Sequence, residues 1–137
     1  MAITKSKGTI REFMTARPIT VGPIDTLTTA RSLMKEHGVR HLPVVENGEP
    51  VGLVSERDLF AIERYRDVHP ERCEVHEAMA PLPYCVPPTA GLDEVVSEMA
   101  ENRYGSALVV ESGKLVGIFT TVDALRATLA LARRGKR

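Results

Sequence analysis

Apolar residues recur with a helical period in two stretches of the chain. Leu27, Ala30, Met34 and His37 fall at i, i+3, i+7 and i+10, and Leu92, Val95, Val96 and Met99 at i, i+3, i+4 and i+7. This is the spacing of one face of an amphipathic helix. Thr26 precedes the first as a hydroxyl able to cap it. Gly91 holds the corresponding place in the second, with Glu94 in the first turn, where a negative charge suits the helix dipole. Gly38 predicts a stop, because glycine readily takes the left-handed conformation that ends helices. Strand-like runs follow each helix: His41 to Glu46 and Pro50 to Ser55, then Ala107 to Glu111 and Leu115 to Thr120. Between them, Asn47-Gly48-Glu49 and Ser112-Gly113-Lys114 carry residues that tolerate the positive φ of hairpin turns. A second helix is predicted from near Glu56, and another from near Thr121 through Leu125 and Leu129 to Arg133. A short extended piece, Pro18 to Val21 closed by Pro23, precedes the first unit.

The two patterns match because the chain is a duplication. Residues 10–60 align with residues 75–125 at a constant offset of 65, without gaps, and 16 of the 51 pairs are identical. Average usage would give about three or four. The identical pairs include Met14/Met79, Pro18/Pro83, Val21/Val86, Gly48/Gly113, Gly52/Gly117 and Asp58/Asp123. The expected organisation is an N-terminal extension (residues 1–9), repeat 1 (10–63), a polar connector (64–74), repeat 2 (75–130) and a basic tail (131–137). Each repeat reads as strand, helix, hairpin and helix, a βαββα unit with a three-stranded sheet whose uncovered face needs a partner. The fold class is therefore α+β (mixed α/β), with the repeats expected to pack about a pseudo-twofold axis as one cooperative domain.

The densest chemistry lies in Gly52-Leu53-Val54-Ser55-Glu56-Arg57-Asp58 and its echo Gly117-Ile118-Phe119-Thr120-Thr121-Val122-Asp123. In each, a strand ends in a hydroxyl and a carboxylate follows three positions later, in the first turn of a helix. One reading is a cap, with Ser55 or Thr120 as the N-cap and the acid suiting the dipole. The other places a phosphate at the helix N-terminus and a sugar hydroxyl on the carboxylate. Both can hold at once.

In order and spacing, Met14-Thr15, Pro18-Ile19-Thr20-Val21, His37 to Val45 and Gly52 to Asp58, twice over, resemble the CBS-domain family across nearly the whole chain. The resemblance implies a paired module, the Bateman module, that commonly dimerises into a flat disc. Its clefts often bind AMP, ADP, ATP, S-adenosylmethionine or NADH. Carried onto this chain, it makes Asp58 and Asp123 ribose ligands, both expected to be partly exposed, and Ser55 and Thr120 phosphate-side hydroxyls. Thr20 and Cys85, with Ile19, Val21, Tyr84 and Val86, fall where backbone meets the adenine edge. Arg40 and His41, with Arg57 nearby, fall where basic phosphate contacts lie. Repeat 2 departs from this, carrying Gly105, Ser106 and Val122 at those three positions, so the stronger cleft is expected where the three cations reach. Each assignment has a structural rival: Arg40 and His41 as flanks of a solvated strand, Arg57 as a surface partner of Glu56 or Asp58, and Met34 and Met99 as core.

The function implied is a regulatory module that senses an adenine nucleotide or related adenosyl ligand, with no required cofactor, and signals to an unknown effector protein as a homodimer. A ligand-free interaction scaffold is the alternative, and a regulatory fragment related to IMP dehydrogenase a further one. The chain is not expected to be an enzyme. It has no Walker loop, no G-x-S-x-G elbow and no H-E-x-x-H, and its 137 residues do not hold a catalytic barrel of roughly 250. His69, Cys73 and His76 lack a standard zinc spacing and a fourth ligand, so no metal is expected. Composition bounds the rest: 43% hydrophobic, 26% charged, and 18 basic against 18 acidic residues, a neutral balance that does not point to nucleic acid. No apolar run approaches the roughly 20 residues of a membrane span. Met1 to Lys7 lacks a signal core, so a cytoplasmic location with reduced Cys73 and Cys85 is expected. The basic end, Arg133 to Arg137, is expected to be frayed and solvated.

Overall fold

The computed structural model of the protein describes residues 8–65 and 67–135; the expectations placed on Met1 to Lys7 and on Lys136 and Arg137 lie outside them. In chain order the elements are α1 (Ile10–Phe13), β1 (Thr15–Ala16), α2 (Leu27–His37), β2 (His41–Glu46), β3 (Glu49–Ser55) and α3 (Glu56–Tyr65). A 3-10 turn (Val75–Glu77) follows, then β4 (Cys85–Val86), α4 (Leu92–Asn102), β5 (Ser106–Glu111), β6 (Lys114–Thr120) and α5 (Thr121–Arg134).

The capping residues close as hydrogen bonds. The Thr29 N–H donates to Thr26 Oγ1 at 3.2 Å, and the Gly91 N–H donates to Glu94 Oε1 at 3.4 Å. Helix α2 ends at Gly38 with φ 65°, whereas α4 ends at Arg103 with φ 59°, a conformation that costs a side chain more than it costs glycine. Both hairpins turn through positive φ, at Asn47 and Gly48 and at Ser112 and Gly113. His37, counted on the apolar stripe, is exposed in the last turn of α2, while Leu27, Ala30 and Met34 are buried. The connector does more than link: Cys73 is buried, and the carbonyls of Cys73 and Pro70 accept the N–H groups of Leu27 and Thr28 at 3.0 and 3.2 Å. They serve donors that the first turn of a helix leaves without partners.

The chain forms two compact units that differ from the sequence repeats. Unit 1 takes residues 8–17, Tyr84–Ser112 and 116–135, and unit 2 takes Pro18–Pro83 and Gly113–Leu115. The opening segment of each repeat thus belongs to the unit built by the other. Unit 1 has a four-stranded sheet in the order β1-β6-β5-β4, with β1 antiparallel to β6 and β4 parallel to β5. Its core includes Ile10, Val95, Val109 and Phe119. Unit 2 repeats that order with fewer bonds. The β2/β3 hairpin is flanked by a parallel bridge from Val21 to Val44 and an antiparallel bridge from Leu53 to Ala80, over a core with Leu27, Leu42, Val54, Leu59 and Val75. Three strands were expected in each; the fourth is the exchanged segment, one or two residues long and too short to show a period. The expected strand Pro18 to Val21 is reduced to the bridge at Val21, since Pro18 has no N–H to give a ladder.

The exchange explains two sets of identities in the repeat. A side-chain carbon at Gly52 would meet the Met79 sulfur and lie 2.9 Å from the Ala80 carbonyl oxygen; one at Gly117 would meet the Met14 sulfur and lie 3.0 Å from the Thr15 oxygen. Glycine lets the exchanged strand approach, and the methionine covers it. No helix among the described residues is long and apolar enough to cross a membrane. Replacing Gly52 or Gly117 by Ala is expected to destabilise the fold by about 1–3 kcal/mol, the usual range for overpacking. Gly135→Ala, which meets only ordinary contacts, is expected to change little, and urea midpoints of the three variants compare them directly.

Candidate ligand site

Both hydroxyl and acid pairs close as reciprocal caps. In unit 2 the Ser55 N–H donates to Asp58 Oδ2 at 2.8 Å and the Asp58 N–H donates to Ser55 Oγ at 3.1 Å. In unit 1 the Thr120 N–H donates to Asp123 Oδ2 at 2.9 Å and the Asp123 N–H to Thr120 Oγ1 at 3.3 Å. Each cap seats a helix start on the end of a strand and aims its acid along that end.

Around Asp58, unit 2 gathers the other residues singled out in repeat 1. The Val21 N–H donates to the Pro43 carbonyl at 3.0 Å and its own carbonyl accepts from Val45 at 2.9 Å, which sets Val21 beside β2, with Ile19 and Thr20 just before it. Val21 is buried, Ile19 half-buried and Thr20 exposed. His41 faces Ser55 across the hairpin, and the Glu56 N–H donates to the Arg40 carbonyl at 2.9 Å. Arg40 Nε stands 4.0 Å from Glu56 Oε1 with its side chain largely in solvent, and Arg57 is exposed. Burial lowers the His41 pKa from its ordinary value; Asp58 opposes the shift, while Arg40 and Arg57 add to it. Three basic side chains and two acids, Glu56 and Asp58, therefore share this strand end. Asp58 keeps Oδ1 without a hydrogen-bond partner among the described residues.

Unit 1 holds Tyr84, Cys85, Val86, Thr120 and Asp123, in a different state. Asp123 is only 5% exposed, which corrects the expectation that both acids are partly open. Thr15 Oγ1 donates to Asp123 Oδ1 at 3.1 Å and to Oδ2 at 3.3 Å, and Thr120 Oγ1 donates to Oδ2 at 3.1 Å. Thr15 was outside the residues singled out; its signal in the sequence is that it aligns with Ala80, a side chain that has no hydroxyl. Tyr84 stacks on Tyr104 with ring centroids 5.2 Å apart. Its pKa is raised, by burial first and then by Glu98 and Glu94. Cys85 is exposed on β4 opposite Leu108, Val86 is buried, and Val122 is exposed. Ser106, where unit 2 has His41, is buried, and its hydroxyl has no partner among the described residues.

A groove of about 460 Å³ in unit 2 lies between the end of α2 and the start of α3, lined by Met34, Gly38, Val39, Arg40, Glu56 and others. Of the residues singled out from the sequence as ligands, it includes Arg40 alone. Met34 is core, as its structural reading has it. Among the described residues no group of three or more His, Cys, Asp or Glu is placed to hold a metal ion. Arg133 and Arg134 are not a frayed end: both lie in α5, and Arg134 Nη2 is 3.2 Å from Glu12 Oε2 with its guanidinium over the Phe13 ring.

The family model described as CBS domain matches residues 10–64 and 75–130. The chain is similar to the CBS domain-containing protein YhcV of Bacillus subtilis, with 31% identity over 83% of this chain and 81% of that protein. It is also similar to an inosine-5'-monophosphate dehydrogenase of Korarchaeum cryptofilum, 36% identical over 77% of this chain but only 21% of the enzyme. Among solved structures it resembles CBSX2 in complex with AMP, with a TM-score of 0.81 and 30% identity over 91% of this chain and 98% of that one.

His41 and Ser106 generate opposite stability tests. A histidine whose folded pKa is lowered binds fewer protons when folded than when unfolded, so stability falls as pH drops through 6.5 toward the depressed value. His41→Gln is expected to flatten that part of the profile, read from urea midpoints between about pH 7.5 and 5.5. Ser106→Ala removes an unpartnered buried hydroxyl and is expected to raise stability by about 1 kcal/mol, read as a higher midpoint in the same titration.

Proposed function

Because the chain belongs to the CBS-domain family and carries two such domains, we propose that it is a regulatory module that binds an adenine nucleotide or related adenosyl ligand and signals to a partner protein. The observation that carries this reading is Asp58: its backbone-anchored carboxylate has one oxygen without a hydrogen-bond partner among the described residues and lies at the strand end that also bears Arg40, His41 and Arg57. A carboxylate fixed by a cap accepts both hydrogen bonds of a ribose diol without reorganising, and nearby cations suit a phosphate. The backbone of Ile19 and Thr20, leading into the bridge at Val21, offers an edge for a base, with Ser55 beside the phosphate. The AMP complex of CBSX2 supports the ligand class. In this reading Cys85, Tyr84, Val86, Thr120 and Asp123 form the corresponding, weaker place in unit 1.

The ligand acts as an effector: it shifts the module between arrangements only as far as it binds one of them better. We read the chain as non-catalytic and cytoplasmic. The relation to inosine-5'-monophosphate dehydrogenase is then one of a regulatory segment. A homodimer belongs to the same proposal. Helix α5 exposes Val122, Leu125 and Leu129 by 53%, 65% and 49%, a stripe at i, i+3 and i+7 that a second copy would cover.

Asp58→Asn keeps the capping acceptor but replaces the carboxylate by an amide, and AMP affinity by calorimetry is expected to fall about tenfold or more, the scale of a hydrogen bond to a charged group. Unchanged affinity for AMP, ATP and S-adenosylmethionine would remove the ribose assignment. Leu125→Arg is expected to lower the sedimentation mass from dimer to monomer; an unaltered mass removes α5 from the dimer contact.

A further inference from the structure

Asp58 and Asp123 are aligned residues with the same cap, yet one is half-buried with an oxygen to spare and the other is closed. The difference comes from the exchanged segments. In unit 1 Thr15 pairs with Ile118, five residues before its acid; in unit 2 Ala80 bridges to Leu53, five residues before its own. Thr15 and Ala80 are therefore equivalent positions facing equivalent acids. The Thr15 hydroxyl reaches both oxygens of Asp123, Thr120 adds its N–H and its hydroxyl to Oδ2, and Arg126 Nη1 stands 3.8 Å from Oδ1. Ala80 has only a methyl group to offer Asp58.

We propose that Thr15 is a latch that closes the unit 1 acid, so that the chain takes a single adenosyl ligand, at Asp58. The ligand class rests on the functional reading above; the latch itself rests on geometry. A carboxylate that already accepts from two hydroxyls and a backbone N–H has to release them before it accepts a diol, and at 5% exposure it has no open side from which to begin. The rest of unit 1 agrees. Tyr84 and Tyr104 stack where unit 2 has the half-buried Ile19 and Val39. Buried Ser106 stands where unit 2 has His41, and Gly105 and Val122 stand where it has Arg40 and Arg57. Specificity between the two halves is thus set largely by one hydroxyl that lies more than a hundred residues from the acid it holds.

The test exchanges the latch between halves in the full-length chain and reads it twice. Carboxylates are labelled with a water-soluble carbodiimide and an amine, with peptide mass spectrometry as the readout, and AMP binding is titrated by calorimetry. In the unaltered chain Asp58 is expected to label and Asp123 to be protected, with one AMP bound per chain. Thr15→Ala is expected to raise Asp123 labelling about tenfold or more, and Thr15→Ser, which keeps the hydroxyl, to restore protection. Ala80→Thr is expected to protect Asp58 and weaken AMP about tenfold or more. The latch is overturned if Asp123 labels as fast as Asp58 in the unaltered chain, if that chain binds two AMP, or if Asp123→Asn rather than Asp58→Asn abolishes its AMP site. The expected labelling pattern with no AMP bound by any variant leaves the latch standing and removes the nucleotide reading instead.

Discussion

The close passage of an exchanged strand over a glycine governs the rest of this structure. Gly52 admits the Met79-Ala80 segment and Gly117 admits the Met14-Thr15 segment, with carbonyl oxygens 2.9 and 3.0 Å from where a side chain would begin. That passage supplies the outer antiparallel strand or bridge of each unit and satisfies backbone groups that a three-stranded sheet would leave at its edge. It also decides which side chain faces each acid, because the residue after the methionine is the one set opposite β3 or β6.

The second constraint is the reciprocal cap at each strand-to-helix junction. Ser55 with Asp58, and Thr120 with Asp123, satisfy one another's backbone N–H groups. The capping and ligand readings of these pairs are compatible, since a carboxylate held by one oxygen has another to offer. In unit 2 that second oxygen remains available beside His41 and two arginines. In unit 1 it is taken by Thr15, with Arg126 beside it; Gly105, Ser106 and Val122 replace the three basic side chains, and Tyr84 stacks on Tyr104. Two copies of one unit have diverged into an open half and a closed one by changes at a handful of positions.

Much of the architecture was legible along the chain because it is local. The helix faces, the caps at Thr26 and Gly91, the stop at Gly38, both hairpin turns and the junctions at Ser55 and Thr120 depend on residues within a few positions of one another, where period, hydroxyl placement and glycine freedom act directly. The constant offset of 65 between repeats made each local reading twice as secure and carried the family resemblance. Misreadings arose where local pattern competes with longer contacts: His37 continued an apolar period into solvent, and Arg134 took its place beside Glu12 and Phe13 instead of fraying.

By itself the sequence determined the duplication, the order of helices and hairpins, and the residue types that meet at each strand end, since these follow from spacing along one chain. Only the tertiary structure decided which segment completes which sheet, and with it that Thr15 meets Asp123 while Ala80 meets the neighbourhood of Asp58. The physical reason is that an exchanged strand of one or two residues has no period of its own. Its pairing is chosen by a glycine and a methionine distant in sequence, Gly52 with Met79 and Gly117 with Met14, and by hydrogen bonds that exist only after the chain has crossed.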